Sequence, residues 1–167
     1  MGTPPLVALA FLLGALAPCA WAAHADLSRM KIPNNAVLLL AAVFAVVGLA
    51  CLPLEGWTLA DWGWRWTHLV VVLILGMLLN GAGMMGAGDA KLLAAAAPFV
   101  ALSDGILALT LFPAMLILCW AVHRLARLTT GPRLVPEWAS WTSGRRFPMG
   151  VVIAATLLAY LLICATA

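Results

Sequence analysis

The sequence predicts an all-α integral membrane protein, a bundle of about six transmembrane helices forming a single domain over residues 1–167. Three observations predict it. The first is composition: 65% of the 167 residues are apolar, against 9 Lys or Arg and 6 Asp or Glu, and mean hydropathy is +1.09. A soluble domain carries about a quarter charged residues, so a water-soluble fold is excluded. The second is blockiness, since apolar residues run in long stretches while Gly and Pro keep no fixed period. That excludes a disordered or a collagen-like chain. The third is block length: a hydrocarbon core about 30 Å thick needs about 20 apolar residues per helix, because lipid offers the backbone no hydrogen bonds.

Pro4 to Ala25 is the first span. Its Ala23-His24-Ala25 ending resembles a signal-peptide cleavage site, but Met1 to Val7 lacks the basic residues such a signal requires. Leu16-Ala17-Pro18-Cys19 resembles a lipoprotein signal only loosely, because Pro stands where a small residue is usual. Ala36 to Leu54 and Thr67 to Met85 are the second and third spans. Ala90 to Leu102 is short at about 1.5 Å per residue, so it must tilt, borrow its flanks or stop partway. Gly105 to Val122 and Met149 to Ala167 complete the six.

The gaps after spans one, three and five hold Arg29, Lys31, Lys91, Arg124, Arg127, Arg133, Arg145 and Arg146, whereas the other gaps hold only Arg65. Lys and Arg collect on the cytoplasmic side, which puts both termini outside. The same asymmetry requires the short span to cross, since otherwise the last basic gap would face outward. The net charge of +3 therefore reads as a membrane bias, and no nucleic-acid partner is expected. Trp57, Trp62, Trp64 and Trp66 in the outer gap are expected to lie on the membrane surface, with Trp138 and Trp141 doing the same on the inner side. Cys19, Cys51, Cys119 and Cys164 are too dispersed for a zinc site or disulfide framework, and His24, His68 and His123 lack carboxylate spacing; neither metal nor cofactor is expected.

Topology sorts the six acids. Glu55, Asp61 and Asp104 fall outside, Asp104 reading as a turn residue in Ser103-Asp104-Gly105, while Glu137 sits in an inner loop and reads as solvated. Asp26 and Asp89 each sit at the mouth of an apolar span on the inner face. Taken singly, Asp89 is an N-cap of the short helix and Asp26 a loop acid. Taken together, two carboxylates brought close cannot both ionise easily, so one keeps its proton while the other acts as base toward water. That arrangement hydrolyses peptide bonds with neither metal nor serine. In Gly81-Ala82-Gly83-Met84-Met85-Gly86-Ala87-Gly88-Asp89 the glycines permit close backbone approach beside the second acid; Gly86 and Gly88 are assigned to the active site, Gly81 and Gly83 to helix packing. Lys91 does not share a helix face with Asp89, so snorkelling to phosphates is its default role.

The motifs resemble a known family. Asp26-Leu27-Ser28-Arg29-Met30-Lys31-Ile32-Pro33-Asn34 is similar to the first aspartate motif of type IV prepilin peptidases, and Gly86-Ala87-Gly88-Asp89-Ala90-Lys91-Leu92 to their G-x-G-D signature with x-K-L after it. Arg146-Phe147-Pro148-Met149-Gly150 resembles their Pro-aromatic-Gly segment, with Met149 where the aromatic residue is usual. The resemblance implies a G-x-G-D aspartic endopeptidase of the bacterial inner membrane. It implies that Asp26 and Asp89 are catalytic and that Gly86, Gly88, Lys91, Pro148 and Gly150 bind substrate. The implied partners are prepilin and pilin-like proteins, which lose a short basic leader at the cytoplasmic face. The cysteine-rich segment of larger, methylating members has no counterpart, and the size is that of the short peptidases of tight-adherence (Flp-type) pilus systems. Other classes stay open at this point: a small transporter or proton-conducting subunit using the same acids, a presenilin-like protease cutting within a helix, or a structural pilus subunit.

Overall fold

The computed structural model describes residues 1–144 and 146–167, so Arg145, counted above in the last basic gap, lies outside the described residues. Helix α1 (Pro5–Arg29) opens with Pro5, whose fixed φ suits a first turn. It ends where Met30 turns left-handed at φ 53° and donates its N–H to the Asp26 carbonyl at 2.8 Å. Pro33 then starts α2 (Asn34–Ala50).

Helix α3 (Leu59–Gly81) begins earlier than the hydropathy boundary at Thr67. Thr58 and Asp61 form a capping box: Asp61 N–H donates to Thr58 Oγ1 at 3.1 Å, and Thr58 N–H to Asp61 Oδ2 at 3.1 Å. The short span borrows both flanks. Helix α4 (Ala87–Ala96) passes into 3₁₀ turns at Ala97–Phe99, where Pro98 interrupts the α ladder, and at Leu102–Asp104. Then come α5 (Gly105–Leu128), a single turn α6 (Gly131–Leu134) and α7 (Met149–Thr166).

Four helical segments are long and apolar enough to cross a membrane, Pro5–Arg29, Leu59–Gly81, Leu102–Leu128 and Met149–Thr166, and α2 is a shorter apolar helix. The all-α membrane bundle is borne out. Helix α1 packs on α7 and α2, while α4 sits among α2, α3 and α7. Tight approach between α3 and α4 occurs at Gly76, where a Cβ would lie 2.8 Å from that of Ala90. Gly81 and Gly83, assigned to such packing from sequence, have nothing within 4 Å of an added Cβ among the described residues.

Met1, Gly2, Cys164 and Ala167 line one cavity, so the termini share one end of the bundle, and Asp26 and Asp89 line another at the opposite end. At the terminal end the tryptophan expectation is corrected. Trp57 is buried and donates Nε1–H to the Gly48 carbonyl at 2.8 Å, Trp62 and Trp66 bury their ring nitrogens, and of the four only Trp64 is exposed. The cluster forms part of the core because α3 starts early and carries three of these residues. Phe11, Phe44 and Phe99 pack on one another with ring centroids 5.1 to 5.3 Å apart, and Phe11 meets Trp57 at 5.8 Å and Phe44 meets Trp66 at 5.3 Å. At the other end Trp141 is also buried, stacked on His123 at 4.9 Å.

Asp104 is likewise more than a turn residue. It is buried and accepts Gly2 N–H at 2.9 Å and Tyr160 O–H at 2.9 Å. Nearby, buried Arg65 donates to the Phe99 carbonyl, the Gly2 carbonyl and Thr3 Oγ1, at 3.1, 3.0 and 2.9 Å. Asp104→Ala strands the buried Tyr160 hydroxyl donor and frees the part-buried Gly2 N–H, and is expected to destabilise the fold by about 1–3 kcal/mol, chiefly through the hydroxyl. Thermal unfolding in detergent checks this: the midpoint should fall for Asp104→Ala and less for Asp104→Asn, whose amide oxygen still accepts. An unmoved midpoint contradicts the assignment.

Candidate active site

Asp26 lies in the last turn of α1, so it is helical and not a loop acid. Its Oδ2 accepts the backbone N–H of Gly150 at 2.6 Å in a buried bond. Gly150 is the second residue of α7, behind Pro148, and its N–H is one of the donors a helix start leaves without an intrahelical partner. The approach requires glycine, since a Cβ there would lie 2.9 Å from Asp26 Oδ2 and 2.9 Å from Ile32 Cδ1.

Asp89 is the third residue of α4, and Gly86 holds the N-cap position, so Asp89 is not the cap. Its carboxylate folds back over Gly86, where a Cβ would meet Oδ2 at 2.7 Å. Ile32, carried by the extended stretch after Met30, wedges between the other two motifs. It sits 3.4 Å from where a Gly88 Cβ would lie and against Gly150 on its other side. The three sequence motifs thus meet around one apolar side chain.

Asp26, Asp89, Gly86, Gly88, Met149 and Arg146 line a single cavity of 720 Å³. Lys91 is exposed and donates to Asn34 Oδ1 at 3.3 Å, so it ties α4 to α2 and does not line that cavity. Pro148 is buried at the start of α7. Ile32 as the wedge and Arg146 as a lining residue escape sequence reasoning, although both stand inside the quoted motifs; the Gly150 hydrogen bond has no side-chain signal, because its donor is backbone.

An all-α membrane fold with two acids from distant segments lining one cavity at a bundle end defines a helical membrane protein with a carboxylate site. The type IV leader peptidase family model matches residues 11–122, about two thirds of the chain, and the chain belongs to that family. It is therefore a peptidase of the leader-peptidase kind. The matched stretch contains Asp26 and Asp89. No curated protein and no solved structure matches the chain.

Proposed function

We propose that the chain is an aspartic endopeptidase that cuts the basic leader from prepilin and pilin-like proteins of a tight-adherence pilus system. The site faces the cytoplasm at the bacterial inner membrane, with both chain termini outside, as the basic-residue asymmetry favours. The carrying observation is that Asp26 and Asp89, 63 positions apart in the sequence, line one cavity together.

With one proton shared between the two carboxyls, the ionised one takes a proton from water as the water attacks. The protonated one donates to the carbonyl oxygen of the bond being cut, and the proton taken from water passes to the leaving nitrogen. The attacking oxygen becomes part of the leader's new carboxylate, and the leaving nitrogen becomes the N-terminus of the mature chain. Gly86 and Gly88 leave room for substrate backbone beside Asp89.

The direct test is to co-express a prepilin-type reporter and read its N-terminus by mass. Leader-length shortening supports the reading, and a reporter left intact by the wild type overturns it. Cleavage should also depend on pH. The pair works only when singly protonated, so kcat/KM falls at low pH, where both carboxyls hold protons, and at high pH, where both have ionised. A profile without such a maximum contradicts the shared dyad.

A further inference from the structure

We infer that Phe147 is the wall of the acid-lined cavity that limits the size of a substrate side chain beside the cut bond, and that Trp141 seats it there through His123; this rests on the leader-peptidase reading. Phe147 is half-buried and lines the cavity together with Asp26, Asp89 and Met149. Any peptide bond brought to the two acids carries its flanking side chains into the same space. A ring in that wall sets how large they can be.

The ring does not hold its place alone. It meets His123 of α5 edge-on, at 88° with centroids 5.6 Å apart. His123 in turn stacks on Trp141 at 4.9 Å and 23°, and Trp141 on Trp138 at 5.7 Å and 13°. Trp138 ends against His24 of α1, edge-on at 5.7 Å. Stacked and edge-on contacts at such distances are those that aromatic pairs prefer. A ladder of five rings thus ties α1, α5 and the stretch between α5 and α7 to one edge of the cavity.

Trp141 anchors this ladder. It is 7% exposed, ends a 3₁₀ turn at Ala139–Trp141 that packs on α1, and donates Nε1–H to the Val135 carbonyl at 2.9 Å. Gly131 lies against it, where a Cβ would stand 2.9 Å from two carbons of the indole ring. The chain around Phe147 is held as well, since Ser143 Oγ donates to the Arg146 carbonyl at 2.8 Å and Pro148 fixes the backbone at the start of α7. Trp141 is not among the residues that line the cavity. Its removal can therefore alter substrate choice only through the rings between it and the acids.

The test uses reporters with the same basic leader in two pairs, one pair for each side of the cut bond, with Ala or Trp as the flanking residue. In one of the pairs Phe147→Ala should raise the ratio of kcat/KM for the Trp reporter to that for the Ala reporter by about tenfold, the scale on which a pocket discriminates by size. Trp141→Leu should raise the same ratio by about three- to tenfold, the worth of one aromatic contact, while Trp141→Phe, which keeps a ring in the stack, should leave it near the wild-type value. Unfolding cannot produce this result, because it lowers both rates together. A ratio unchanged in both pairs, for Phe147→Ala or for Trp141→Leu, overturns the proposal. In an Asp26→Asn chain, which leaves substrate uncut, a photo-crosslinking phenylalanine analogue in place of Phe147 should label the reporter beside the end of its leader. Labelling only elsewhere in the reporter, or of lipid alone, overturns it as well. If the wild type cuts none of the reporters, the peptidase reading fails while the crosslink still decides what Phe147 faces.

Discussion

Asp26→Asn and Asp89→Asn are each expected to slow leader removal by about 10⁴-fold or more, as loss of a residue from a catalytic unit does elsewhere. The substitution is close to isosteric. In the Asp26→Asn variant the new amide still offers an oxygen to the Gly150 N–H, so the contact between α1 and α7 survives, and what disappears is one of the two carboxyls that share the proton. At Asp89 the amide likewise keeps the shape of the first turn of α4 but can neither take a proton from water nor give one. Both variants should remain in the membrane at wild-type levels. The measurement is the mass of the reporter's N-terminus after fixed times, together with the amount of each variant in the membrane fraction. A variant that inserts normally and cuts at full rate removes that residue from the mechanism.

Gly150→Val should be nearly as damaging. A side chain at this position meets Asp26 Oδ2 and Ile32 Cδ1, both 2.9 Å from where its Cβ must sit. Something has to shift. Ile32 is also held against Gly88, so the carboxylate gives way, and the 2.6 Å bond that orients it lengthens or breaks. Misplacing a catalytic group by about 1 Å costs about 10²-fold in rate. Because Gly150 orients Asp26 and is not itself the reacting group, kcat should fall with KM little changed, and the pH profile should shift with it. A Gly150→Val enzyme with wild-type kcat and pH profile contradicts this role.

Much of the fold is legible in the sequence because the membrane imposes it. Lipid demands continuous apolar helices, and those runs can be counted directly; the basic residues then order the ends. The start of α3 is harder to see although Thr58 and Asp61 stand at capping-box spacing, because four nearby tryptophans match the pattern of an interfacial loop. Asp104 is obscured for a different reason: its partners, Gly2 and Tyr160, are remote in sequence, and no local pattern announces them. In the site, Asp26 and Asp89 stand out by their shared face, and the structure brings them to one cavity. Lys91 matches a family position yet binds Asn34, since a long cation near a helix start reaches whichever acceptor lies within range. The role of Ile32 depends on Met30 turning left-handed, which side-chain type alone does not signal.

If Asp26 and Asp89 serve one water as a single unit, a double-mutant cycle will show it. Single-turnover cleavage of the same reporter would be followed for Asp26→Asn, Asp89→Asn and the combined variant, each corrected for the amount inserted. A shared dyad predicts that the combined variant is no slower than the slower single one. Losses that multiply, with the double variant slower by the product of the two single effects, would mean that the two carboxylates act independently and would rule the dyad out.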